Sequence, residues 1–211
     1  MTCGVWNCFK ECQKLHAKTL STRYNFSNMN SVISMLRGVN VGGHHMIKME
    51  ALRVLYASLG LLDVQTYVQS GNVVFRSKEK NLISLAKKIE AAIEREFGFR
   101  PDVILRTSAE LRDAMARNPF ADRKDMEPSK LLGVFLAKKL SAETMAAARA
   151  IQSEPEEMHV HERQLYIYFP NGMARPKLSM STVERVIKTS WTGRNWNTVT
   201  KLLEMAERLE G

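Results

Sequence analysis

Three stretches of the sequence hold residue types that can grip a ligand. The run Leu36-Arg37-Gly38-Val39-Asn40-Val41-Gly42-Gly43 sets glycines beside a guanidinium and an amide. Glycines let backbone N–H groups approach an anion closely. The run Gln69-Ser70-Gly71-Asn72 arranges three polar side chains around a glycine, a composition that also suits an ordinary turn. The run Trp191-Thr192-Gly193-Arg194-Asn195-Trp196-Asn197-Thr198 gathers indoles, amides and Arg194 ahead of a helical pattern, and a helix N-terminus favours negative charge. The same residues equally suit a helix cap at Thr192 or Asn195 and a core anchor at Trp196.

The chemistry consistent with these residues is recognition of a small anionic or phosphate-bearing ligand in a polar cleft. Arg37, Lys177 and Arg194 would supply positive charge, and Asn40, Gln69, Ser70, Asn72, Asn195 and Asn197 oriented polar groups. Gly42 and Gly43 would supply free N–H groups. The first run is not a Walker A loop, because no Gly-Lys-Ser/Thr follows, and it lacks the glycine spacing of a dinucleotide fingerprint. Ser70 has no recognisable His and acid partner, so the sequence assigns no catalytic residue. His44, His45, His159 and His161 stand without a cysteine or carboxylate at a ligand spacing, so neither a metal nor a cofactor is expected.

The elements that must position these groups follow from hydrophobic period. Residues 32–36 form a short apolar strand, and Met49, Leu52, Leu55, Tyr56 and Leu59 recur at helical spacing before Gly60. Residues 64–69 and 72–76 make a hairpin, residues 82–97 an amphipathic helix, and residues 103–106 a strand. This βαββαβ order is the split βαβ, or ferredoxin-like, arrangement of an α/β protein of α+β type. Its right-handed crossovers bring residues 37–43 beside residues 69–72. A short helix at 108–117 ends at Asn118-Pro119, and the charged stretch 119–130 reads as a linker between halves at 29–118 and 131–211. The smaller second half reads βαββαα: a strand at 131–137, a helix at 142–152, a hairpin of 158–161 and 165–169, and helices at 178–188 and 199–209.

Composition bounds the partners. The chain has 211 residues, 45% hydrophobic and 25% charged, within the range of ordinary folded domains. No apolar stretch reaches the roughly 18 residues of a membrane span and no secretory signal is readable, so the cytoplasm is the default compartment. Cys3, Cys8 and Cys12 all fall in residues 1–28, where no sustained period occurs. That segment is expected to be a disordered or non-native extension, with Met29 as an alternative start. The net charge of +9 attracts anions generally, nucleic acid included.

Taken in order, the Leu36–Gly43 run, Tyr67-Val68-Gln69-Ser70-Gly71-Asn72-Val73-Val74-Phe75, Asn118-Pro119-Phe120 and Arg194-Asn195-Trp196-Asn197-Thr198 resemble the bacterial family called domain of unknown function 1697, across about residues 30–210. Gly193 stands where the family usually has threonine, and Pro176 where serine often precedes Lys-Leu. The resemblance implies a two-part α/β architecture with no assigned cofactor or activity. Two other readings stay open. A nucleic-acid module is suggested by charge and element order, although residues 72–76 lack the spaced aromatic pair on which bases stack. An interaction module would use Trp191 and Trp196 as interface anchors. Oligomeric state is not legible.

Overall fold

The computed structural model describes residues 29–210, so the extension expected at 1–28 lies outside the described residues, as do its cysteines. The first half contains β1 (Asn30–Leu36), α1 (Met49–Ser58), β2 (Leu62–Tyr67), β3 (Asn72–Ser77), α2 (Leu82–Phe97), β4 (Val103–Thr107) and α3 (Ser108–Ala116). The second contains β5 (Leu131–Leu136), α4 (Ala142–Arg149), β6 (Glu157–His161), β7 (Gln164–Tyr168), α5 (Met180–Ile187), β8 (Trp191–Asn195) and α6 (Trp196–Glu210). The protein is of α+β class, with two four-stranded sheets ordered β2-β3-β1-β4 and β6-β7-β5-β8. All neighbouring strands are antiparallel.

The strand β8 corrects the βαββαα order expected for the second half. Its sequence, Trp-Thr-Gly-Arg-Asn, is poor in strand-forming residues, and its inward positions are Thr192 and Arg194, both buried. A hydrophobic period cannot detect polar residues that alternate inward. Gly193 leaves room for Leu132, whose side chain would lie 3.2 Å from an added Cβ. With β8 included, each half runs β-α-β-β-α-β-α, and the two sheets share one topology.

Strand alternation then sorts the core into layers. In β1, Val32 and Leu36 face α1 and α2, and Ile33 and Met35 face the opposite way. In β5 and β7, Val134, Leu165 and Ile167 face α4 and α5, whereas Phe135, Tyr166 and Tyr168 join the inner layer with α3 and α6. The inner faces of both sheets therefore share one core with those two helices. Ser31 Oγ donates to the Ala206 carbonyl at 2.9 Å, fixing α6 on the first sheet. Tyr166 OH donates to the Ala114 carbonyl at 2.7 Å, fixing α3 on the second. Gly133 gives the Trp196 ring its place, 3.3 Å from where a Cβ would stand.

Helix ends follow local chemistry. Thr107 caps α3 in a capping box with Glu110, and Gly98 closes α2 in the left-handed conformation. The stretch 119–130 is packed down: Phe120 is buried in the inner core, and Tyr168 OH donates to the Asp125 carbonyl at 3.1 Å.

Candidate functional site

Residues 37–43 and 69–72 meet at one end of the first sheet. Leu36 N–H donates to the Gly71 carbonyl at 3.0 Å, and the Asn40 amide donates to the Gln69 carbonyl at 2.7 Å. Asn40 also receives the Ile47 N–H and donates to the Ile47 carbonyl, so its side chain staples the loop that contains Gly42 and Gly43. Those two glycines form the exposed tip of a tight turn closed by the Val41–His44 bridge. Arg37 lies against the Trp191 ring, 4.7 Å from its centroid, and is paired with Glu184 at 2.8 Å and Asp102 at 3.8 Å. Its charge is already answered by two carboxylates.

Arg194 reaches the same end but is consumed there. Its Nε donates to Asn72 Oδ1, Nη1 to Thr192 Oγ1 and the Gly193 carbonyl, and Nη2 to the Leu36 and Ser70 carbonyls. A guanidinium has five N–H donors, and these five bonds use them all. Burial lowers the Arg194 pKa to about 10, which leaves it charged at neutral pH. Arg194, expected to face an anion, directs these donors to protein acceptors and links the two sheets. Asn72 is likewise buried and committed, its amide donating to Ser70 Oγ and the Tyr67 carbonyl.

The remaining expected residues are placed elsewhere. Asn195 donates to the Ser129 carbonyl and accepts the Asn197 N–H, so it shapes the start of α6, and Asn197 is exposed. Lys177 sits in the loop before α5, its N–H held by the buried Glu156 carboxylate. Trp196 is core, only 6% exposed, and Trp191 is half-buried beneath Arg37. Both faces of the first sheet are covered, one by α1 and α2 and the other by the inner core, so no open sheet platform is offered for base stacking. Among the described residues, no group of three or more His, Cys, Asp or Glu could hold a metal ion. No helix among them is long and apolar enough to cross a membrane.

A polar cleft of about 340 Å³ opens instead between α3 and the β6–β7 turn, lined by Arg106, Glu110, Asp113, Arg117 and residues 161–164. Sequence reading missed it. Arg106 occupies an inward position of β4 and is 1% exposed. Nη1 donates to the Leu105 carbonyl and Nη2 to the Leu136 and Arg163 carbonyls, but Nε has no partner among the described residues. Arg163 Nε and His161 Nδ1 are also buried and unpartnered. Burial, reinforced by the Arg163 charge and opposed by Glu110, brings the Arg106 pKa down to about 10. Around it, Arg163 pairs with Glu110 at 3.0 Å, Arg117 with Asp113 at 2.8 Å and Lys139 with Glu162 at 2.6 Å. No carboxylate bonds Arg106 itself.

Fold and site together define an α+β protein of two like-topology units, joined through a common inner core and bearing an arginine-rich cleft at one end. The chain belongs to the family described as "Protein of unknown function (DUF1697)", whose sequence model matches residues 29–166. That span includes every residue lining the cleft and stops short of Arg194. Among solved structures, the chain is similar to the conserved bacterial protein SP0830 from Streptococcus pneumoniae. The two are 21% identical with a TM-score of 0.64, over 84% of this chain and 99% of that one. At that identity the likeness is one of fold. No curated protein matches the chain.

Proposed function

We propose that the protein binds a small ligand through an oxyanion, phosphate or carboxylate, held in the cleft between α3 and the β6–β7 turn. The observation that carries this reading is Arg106: a buried, charged side chain whose Nε lacks a partner among the described residues, in a cleft also lined by Arg117 and Arg163. A buried donor left unmade costs about 1–3 kcal/mol, more when charged. An oxyanion accepting from Arg106 Nε and Arg163 Nε removes that cost, since the cleft's carboxylates, Glu110, Asp113 and Glu162, bond Arg163, Arg117 and Lys139 rather than Arg106. Both side chains are held by backbone and carboxylate contacts before any ligand arrives, so little ordering entropy opposes binding. Compared with Arg194, which is also buried but has no spare donor, Arg106 is the arginine available to a ligand.

Isothermal titration of the full chain with inorganic phosphate, pyrophosphate and small carboxylates tests the reading. Arg106→Met should weaken binding by about tenfold or more, since a charge-assisted bond is lost. Arg37→Met should leave it unchanged. Equal affinity in wild type and Arg106→Met, in a variant that retains its circular dichroism, sinks the proposal.

A further inference from the structure

A second cleft, of about 310 Å³, runs along the free edge of β4 and shares Arg106 and Arg163 with the polar one. Its other wall is apolar, formed on α2 by Leu82, Ile83 and Ala86, with Ile83 68% exposed. The β4 edge itself is not open for pairing with another strand. Val103 N–H donates to Glu90 Oε1 at 3.3 Å, and the Leu105 carbonyl accepts from Arg106 at 2.8 Å. Side chains thus occupy two of the backbone groups that an added peptide strand would use. What the groove presents is apolar surface next to a cationic wall.

Resting on the anion-binding reading above, we infer that the ligand is an amphiphilic anion. Its oxyanion head sits with Arg106 and Arg163, and an aryl or short acyl body lies against Leu82, Ile83 and Ala86. Continuity carries the inference: the two arginines that line the polar cleft also line the apolar groove, so a molecule anchored on them can reach the apolar face of α2. Charge favours this orientation: Arg106 and Arg163 lie at one end of the groove and Asp102 and Glu90 toward the other, with Lys87 and Lys138 also on its lining.

The test is a titration series on the full chain with inorganic phosphate, methyl, butyl and hexyl phosphate, phenyl phosphate and hexanoate. Affinity should rise about threefold to fourfold for each methylene buried. Ile83→Gln, a neutral polar change at an exposed position, should reduce the increments and leave inorganic phosphate unaffected. Hexanoate against hexyl phosphate separates a carboxylate head from a phosphate one. If all the phosphates bind alike, or the increments survive undiminished in Ile83→Gln, the amphiphile is wrong and the anion site stands. If no anion in the series binds, both are wrong.

Discussion

Arg194 Nε donates to Asn72 Oδ1 at 2.5 Å, joining β8 of one sheet to β3 of the other across 122 residues of sequence. The pair sits where the inner core ends, and the other four donors of Arg194 hold Leu36, Ser70, Thr192 and Gly193. The β1 end, the β2–β3 turn and β8 are thereby locked in one register. The same contact explains why a polar residue can occupy an inward strand position without cost from unmade bonds.

Removing that staple should be expensive. Arg194→Met leaves the Ser70 carbonyl and the Asn72 amide oxygen without the donor Arg194 supplies, and the Leu36 carbonyl with only the 3.4 Å bond from Thr192 Oγ1, at a cost of about 3–5 kcal/mol. Urea unfolding monitored by tryptophan fluorescence checks it, and phosphate affinity should be unaltered in the fraction that folds. A loss under 1 kcal/mol contradicts the assignment of Arg194 to structure.

Gly71 is the tightest glycine. Its φ is +68°, and an added Cβ would stand 2.9 Å from Leu36 Cβ. Gly71→Ala therefore combines left-handed strain with overpacking and should cost about 2–4 kcal/mol. Gly98→Ala has similar φ, +77°, but open space, and should cost only about 1 kcal/mol. Denaturation midpoints of the two variants, measured side by side, decide whether the close approach to Leu36 matters.

Glu110 both completes the α3 capping box and neutralises Arg163. Glu110→Gln keeps the cap, which glutamine also makes, and deletes the negative charge beside the cleft. Phosphate affinity should rise by about threefold to tenfold as a nearby repulsion is removed. Unchanged or weaker binding in calorimetry places the anion away from Arg163.

Tyr166 is pushed up to about 12, chiefly by burial, with the Asp113 charge adding to it and Arg117 opposing it. Burial also raises Tyr56, whose hydroxyl lies 2.8 Å from Ser34 Oγ. An unfolded phenol ionises near 10. Between that pH and about 12 the native state therefore retains a proton the unfolded state has lost, and Tyr166 lowers stability as pH rises. Ultraviolet titration at phenolate wavelengths should show late ionisation, and Tyr166→Phe should remove its share and lessen the alkaline loss, leaving the share of Tyr56.

The first half was legible in detail. Leu82, Leu85, Ile89, Ile93 and Phe97 mark α2 at its observed length, and Gly98 marks its end. The meeting of residues 37–43 with residues 69–72 followed from topology and is present in the Asn40–Gln69 contact. β8 was not legible, because Thr192 and Arg194 occupy its inward positions in place of apolar residues. Nor was the cleft. In sequence, Arg106 is only the last residue of the strand expected at 103–106. It is buried only because Leu136 and Arg163, 30 and 57 positions away, fold over it.

From its linear order of residues, then, this protein's helices, hairpins and class were determined, since hydrophobic period, glycine ends and caps act within a few residues of one another. Which arginine became a staple and which kept a spare donor was decided only by tertiary structure. That outcome depends on how many carbonyls from distant segments arrive within bonding distance of each guanidinium: Arg194 meets enough partners to use every donor, and Arg106 does not.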